Sequence, residues 1–255
     1  MKGSYKEKKK QRLGERSFNS FGTEMEIIQY NKSNDIIVMF LDEYKTKVHT
    51  IYQNFKDGNV RNPYDKTIFG VGYIGIGKYD IYDNCIKRRS YQTWQNMLKR
   101  CYDNKTQNKQ STYIGCVVCG EWHNYQNFAE WYDKNYYELD GCRMHLDKDI
   151  LGNGCKIYSP ETCIFVPQRI NMLFVAKSKS CDCDLPTGIT RTFLSDGTIK
   201  YNSMYNGKHI KTFDNLSDAL YNYNLKKKEH IKQVADEYRD KIPTRLYKAL
   251  IEWKP

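Results

Sequence analysis

The spacing of hydrophobic positions changes period along the chain, and the changes divide it into units. Between Met25 and Tyr52 the apolar residues come in short runs: Met25–Tyr30, Asp35–Leu41 and Lys47–Tyr52, the first two separated by the turn cluster Asn31–Asn34. Runs of this length, rich in β-branched and aromatic residues, predict strands, and several within sixty residues predict a small curled sheet or barrel. Asp57-Gly58 marks a turn. The glycine-rich stretch from Phe69 to Lys78 follows and reads as a permissive loop or bulged strand. Its Gly70, Gly72 and Gly75 have GxGxxG spacing, but no parallel strand precedes them and no helix opens at the third glycine. A phosphate loop would need Ser or Thr after Lys78, where Tyr79 stands, so nucleotide binding is rejected.

From Ser90 the period becomes helical. Tyr91, Trp94, Met97, Leu98, Cys101 and Tyr102 fall on one face, with Lys99, Arg100 and Lys105 opposite, and Ser90 is the expected N-cap. Asn104–Ser111 reads as a polar loop, and a second amphipathic helix is expected over Tyr125–Tyr132. Then come the strand candidate Met144–Asp149, a loop, the strand Cys163–Val166 and a helix from Pro167 through Phe174. After a linker over Lys177–Asp184, three strands are expected: Gly188–Leu194, Thr198–Tyr205 and Lys208–Phe213. Asn206-Gly207 is a strong two-residue hairpin signal. Asn215 or Ser217 then caps a long helix whose apolar side runs from Ala219 to Ile242, with Lys226–Lys228 facing solvent.

These elements define an α+β protein. Residues 1–20 form a basic arm, 21–84 a small β-barrel-like domain, 85–178 a helix-flanked ββα domain, and 185–255 a three-stranded antiparallel sheet with a long helix. The net charge of +11 over 255 residues favours polyanionic partners, nucleic acid first. No apolar run is long enough to span a bilayer, and the charged N-terminal segment lacks the apolar stretch of a signal peptide, so a cytoplasmic protein is expected. The nine cysteines suit free thiols or a metal better than disulfides. Cys116 and Cys119 have zinc-knuckle spacing, with His123 four residues on. Cys163 is the candidate further zinc ligand, with Cys142 and Cys155 as other single cysteines, and the alternative is that these are small buried hydrophobes. Cys181 and Cys183 read as linker.

Candidate chemistry concentrates at His145, Asp147 and Asp149. In a strand all three would share a face, where carboxylates beside an imidazole can hold a hard divalent cation and supply a proton acceptor for water. Asn171 offers an oxygen ligand from the following helix.

The segment LDKDILGNGCKIYSPETCIFVPQRIN, residues 146–171, resembles the HNH (His-Me finger) homing endonucleases of phages. The resemblance implies a metal held by Asp147 and Asn171, which lie 24 residues apart, with Cys163–Val166 as the second strand. YQTWQNMLKRCY and CVVCGEWHNYQNFAEW resemble segments preceding that motif in phage proteins. Two positions depart from the family. Lys148 stands where the family places its general base, and a lysine with a pKa of about 10.4 cannot accept a proton at neutral pH unless burial shifts it strongly. Thr162 replaces the loop asparagine. The expected catalytic set is therefore His145, Asp147 and Lys148, with either His145 as the base or a dead site whose Lys148 contacts phosphate.

LPTGITR and YNGKHIKTFDNLSDALYNYNLKKKEHI resemble the Apetala-type DNA-binding domain. That resemblance implies a sheet lying in the major groove, with Arg191, Lys200, Asn202, Lys208 and Lys211 at the exposed positions. The expected activity is phage-type, divalent-metal-dependent (Mg²⁺-like) DNA endonuclease chemistry on double-stranded DNA in an infected host cell. The alternative is a catalytically inactive HNH-derived effector that binds nucleic acid or a host protein, for example in counter-defence.

Overall fold

The computed structural model describes residues 11–175 and 184–255. The basic arm's first ten residues and Cys181 and Cys183 lie outside the described residues. The chain is mixed α+β and forms two compact units, residues 1–134 and 135–255.

The first unit opens with four antiparallel strands paired in chain order: β1 (Arg16–Phe18), β2 (Glu24–Lys32), β3 (Asp35–Phe40) and β4 (Lys47–Thr50). In β3 the period of two is explicit, because Ile36, Val38 and Phe40 are buried and alternate with half-buried neighbours. They join Met25, Ile27 and Tyr30 in one core. The expected barrel does not close among the described residues: β1 pairs only with β2, and β4 only with β3. A sheet of four strands with two short edges cannot curl round to meet itself. Instead the chain turns at Tyr52 into α1 (Tyr52–Lys56), and Phe55 and Val60 cover the apolar face.

The hairpin β5 (Tyr82–Asp83) and β6 (Ile86–Lys87) leads into α2 (Arg89–Tyr102). Ser90 is not the cap: the helix starts a residue earlier, and the Ser90 hydroxyl is buried 3.0 Å from the Tyr125 hydroxyl. Asn104–Lys109 forms a helix, α3, rather than the expected loop, because Asp103 Oδ2 accepts from the backbone N–H and hydroxyl of Thr106. After β7 (Val117–Val118) comes α4 (Tyr125–Asn135). Trp94, Trp122, Tyr125 and Phe128 are fully buried, and Trp94 Nε1 donates to Trp122 O at 2.7 Å. The glycine-rich stretch lies against this aromatic core. A Cβ at Gly72 would sit 2.5 Å from Leu98 Cδ1 and 2.9 Å from the Trp94 ring, so its glycine serves packing.

The second unit contains β8 (Met144–Asp147), α5 (Asp149–Gly152), β9 (Ile157–Tyr158), β10 (Ile164–Pro167) and α6 (Gln168–Asn171). The antiparallel sheet β11 (Ile189–Phe193), β12 (Ile199–Tyr205) and β13 (Lys208–Phe213) follows, then α7 (Leu216–Glu237) and α8 (Thr244–Ile251). Asn206 and Gly207 both have positive φ, as the hairpin signal requires. Asn215 caps α7 by accepting from the Asp218 N–H at 2.9 Å. The long helix ends at Glu237 rather than running on to Ile242, and Pro243 stands at the N-cap of α8, a position where its missing N–H does no harm. Ile164, Val166 and Ile170 share one core with Ile231, Val234, Ala235 and the α8 leucines Leu246 and Leu250. None of the described helices is long and apolar enough to cross a membrane.

Candidate functional site

Two surfaces of the second unit contain the residues selected for hydrolysis and for DNA contact; the zinc candidates Cys116 and Cys119 lie in the first unit. The first is the ββα element. β8 and β10 pair antiparallel, with His145 opposite Val166 and Asp147 opposite Ile164, and α6 packs back on both strands. His145 and Asp147 therefore lie on one face of β8. Asp149 does not join them, because the strand stops at Asp147 and Asp149 is the first residue of α5. The cause is Asp147 itself. Its Oδ1 accepts from the backbone N–H groups of Asp149 at 3.0 Å and Ile150 at 2.9 Å, which turns the chain into a helical turn.

Asp147 is buried, and that burial pushes its carboxyl above the usual carboxylate range. The neighbouring Asp149 adds to the rise, against the opposing pull of the two N–H donors and Lys148. Lys148 is also buried; its Nζ lies 2.5 Å from Asp149 Oδ1 and 5.6 Å from the centre of the Tyr158 ring. Thr162 has a structural part: its hydroxyl donates to Ile157 O at 2.7 Å and accepts from the Ser159 N–H at 3.1 Å. Asn171 is the last residue of α6, which is a single turn.

These donors do not suit a resident metal. A hard divalent cation is held by several oxygen ligands, usually with more than one carboxylate or its own waters. Here one Asp147 oxygen is already engaged by two N–H groups, and the next residue brings an ammonium group. Among the described residues no group of three or more His, Cys, Asp or Glu side chains is placed to hold an ion. Cys116 and Cys163 are buried thiols and Cys119 is half-buried. His123 Nε2 lies 3.1 Å from Val118 O, and burial holds its imidazole below the ordinary histidine value.

The second surface is the sheet β11–β12–β13. Helix α7 covers one side: Ile189 and Ser203 are buried, the Tyr205 ring meets Tyr223, and the Tyr205 hydroxyl lies 2.8 Å from His230 Nδ1. Residues of opposite parity form the other side, which carries a continuous polar ladder. Asn202 Nδ2 donates to Thr192 Oγ1 at 2.9 Å, Thr212 Oγ1 donates to Asn202 Oδ1 at 2.7 Å, and His209 Nε2 lies 3.0 Å from Thr212 Oγ1. The single Thr212 hydroxyl proton is used on Asn202, so His209 is the donor in the last bond. Lys200 lies on the same side and is ion-paired to Asp214.

The five expected DNA-contact residues thus divide. Lys200 and Asn202 occupy the open face. Arg191, across from Tyr201, and Lys211, across from Ser203, have the parity of the helix-covered side. Arg191 is ion-paired to Asp184 at 2.5 Å, and the Lys211 ammonium lies 5.4 Å from the Phe213 ring. Lys208 sits across from Tyr205, beyond the bulge that shifts the β12–β13 register. Thr192, His209 and Thr212 were not singled out from the sequence; counting back from the hairpin places Lys211 across from Asn202, and the register shift between Ser203 and Met204 puts Thr212 there instead. Of the lysine run on α7, Lys227 is half-buried rather than solvent-facing, with its ammonium 5.0 Å from the Trp253 ring.

No family model, curated protein or solved structure matches this chain.

Proposed function

We propose that this chain binds double-stranded DNA through the open face of its C-terminal sheet, and that its ββα element is an HNH-derived unit that does not hydrolyse the duplex. The observation carrying this reading is the polar ladder. Asn202 gives one N–H to Thr192 and accepts from Thr212. One N–H and one acceptor lone pair remain, held in fixed orientation, and that is the set an asparagine uses to read an adenine edge in the major groove. The groove admits β-ribbons, the exposed hydroxyls of Thr192 and Thr212 suit base or phosphate contacts, and Lys200 supplies charge. The net charge and the Apetala-type resemblance support the same partner.

The ββα element supports binding better than hydrolysis. Lys148 occupies the base position, with its ammonium against Asp149, and Asp147 is committed to capping α5. One observation favours the second reading, phosphodiester hydrolysis: His145 and Asp147 share a face of β8 beside α6. Incubation of purified protein with supercoiled and linear phage DNA in Mg²⁺ or Mn²⁺ separates the two. The binding reading expects DNA that shifts in a gel and stays uncut. Cleavage that disappears in Asp147→Ala with affinity retained would establish the hydrolytic one.

A further inference from the structure

Outside that sheet the first unit has a strongly basic concavity that the reading above does not use. It lies where α2 ends and α3 begins and is lined by Lys99, Asp103, Lys105, Thr106, Lys109 and Gln110. Three lysines face one carboxylate. We infer that this cleft is a second nucleic-acid contact, which takes the phosphodiester backbone without regard to sequence; the inference rests on the DNA-binding reading above.

The carboxylate in the cleft is turned to internal use. Asp103 Oδ2 accepts from the Thr106 N–H at 2.9 Å and from the Thr106 hydroxyl at 2.6 Å, and the hydroxyl bond leads in holding its carboxyl below the usual range. It therefore stays ionised, yet its oxygens serve the helix cap. None of Lys99, Lys105 and Lys109 has a carboxylate oxygen within 4.0 Å among the described residues, and all three are exposed. Lys105 and Lys109 are four apart on α3, a spacing at which like charges repel and weaken a helix. An anion between them converts that repulsion into attraction.

The frame holding the lysines is fixed. Gln107 Nε2 donates to Cys101 O at 2.6 Å and reaches Arg100 O at 3.4 Å, which ties α3 to the last turn of α2. Lysine is a compact point charge with rotatable donors and lacks the planar fork that reads guanine, so the cleft suits phosphate and carries no base preference.

The test is the salt dependence of duplex binding by the full chain, followed by fluorescence anisotropy of a labelled oligonucleotide. Each lost lysine–phosphate contact lowers the slope of log K against log salt by about 0.9. The variant Lys99→Gln/Lys105→Gln/Lys109→Gln should therefore lose about 2 to 3 from the slope and keep its ranking of target sequences. The control Lys32→Gln/Lys45→Gln/Lys47→Gln removes the same charge elsewhere and should keep the slope. An unchanged slope in the cleft variant, or an equal loss in the control, overturns the inference. Binding that survives Lys200→Ala/Asn202→Ala but collapses in the cleft variant overturns the sheet reading alone. A chain that binds no duplex at all overturns both.

Discussion

At the scale of the residue, Asp147 joins the sequence motif to the local structure, and its chemistry differs from that of a free ligand. Its carboxylate is bound to two backbone N–H groups and desolvated. Removing it in Asp147→Ala leaves those two N–H groups without their acceptor and should cost about 1 to 3 kcal/mol in urea unfolding. A raised carboxyl pKa in the fold means that the neutral acid is favoured there. The contribution of Asp147 is then full below about pH 4 and shrinks as pH rises through the folded-state pKa. Asp147→Asn keeps an acceptor and removes the titration. Its stability relative to the parent should therefore rise with pH through that window, and a flat difference from acid to neutral pH would contradict the desolvation argument. The shared face of His145 and Asp147 was legible from the period of two. The exit of Asp149 was not, because it follows from where the Asp147 oxygen finds its donors.

At the scale of the element, the C-terminal sheet was the most legible part. Asn206-Gly207 fixed its hairpin and Asn215 its helix cap, both through local backbone chemistry. Closure of the first sheet was not legible, since it depends on whether distant edges meet. α3 was missed because its signal is an aspartate three residues before a threonine, which is easily taken for a polar loop. The union of sheet and α7 is sensitive at Gly188, where φ is +83° and a Cβ would run into the Tyr223 ring and approach Met204 O at 2.8 Å. Gly188→Ala should lower stability by roughly 2 kcal/mol through combined overpacking and backbone strain, read as an earlier urea midpoint. The Tyr205–His230 bond adds a pH dependence. Burial, aided by Arg169, holds the His230 imidazole below its ordinary value, so the fold disfavours its protonation. Its contribution is full above about pH 6.5 and is lost as pH falls below that value. Amide protection factors in β12 and α7, corrected for the intrinsic pH dependence of exchange, should fall on acidification, and His230→Gln should remove that part of the change.

At the scale of the whole molecule, the excess of positive charge favours a polyanionic partner, and in the proposed reading the geometry decides which residues would meet it. Of the five cationic or amide side chains selected from the sequence, only Lys200 and Asn202 stand on the open sheet face. Strand parity was countable along β11 and β12, but the register shift between β12 and β13 moves Lys211 off the open face, and the side that α7 covers depends on packing over many residues. The account therefore turns on those two side chains and the hydroxyl ladder that orients one of them. The most direct measurement is the affinity of the full chain for labelled duplexes before and after Lys200→Ala/Asn202→Ala, with the fold monitored by circular dichroism. The account predicts roughly ten- to a hundredfold weaker binding, with Asn202→Ala alone relaxing preference at one base pair and Lys200→Ala weakening all sequences evenly. Unchanged affinity and unchanged sequence preference in a folded double variant would contradict it.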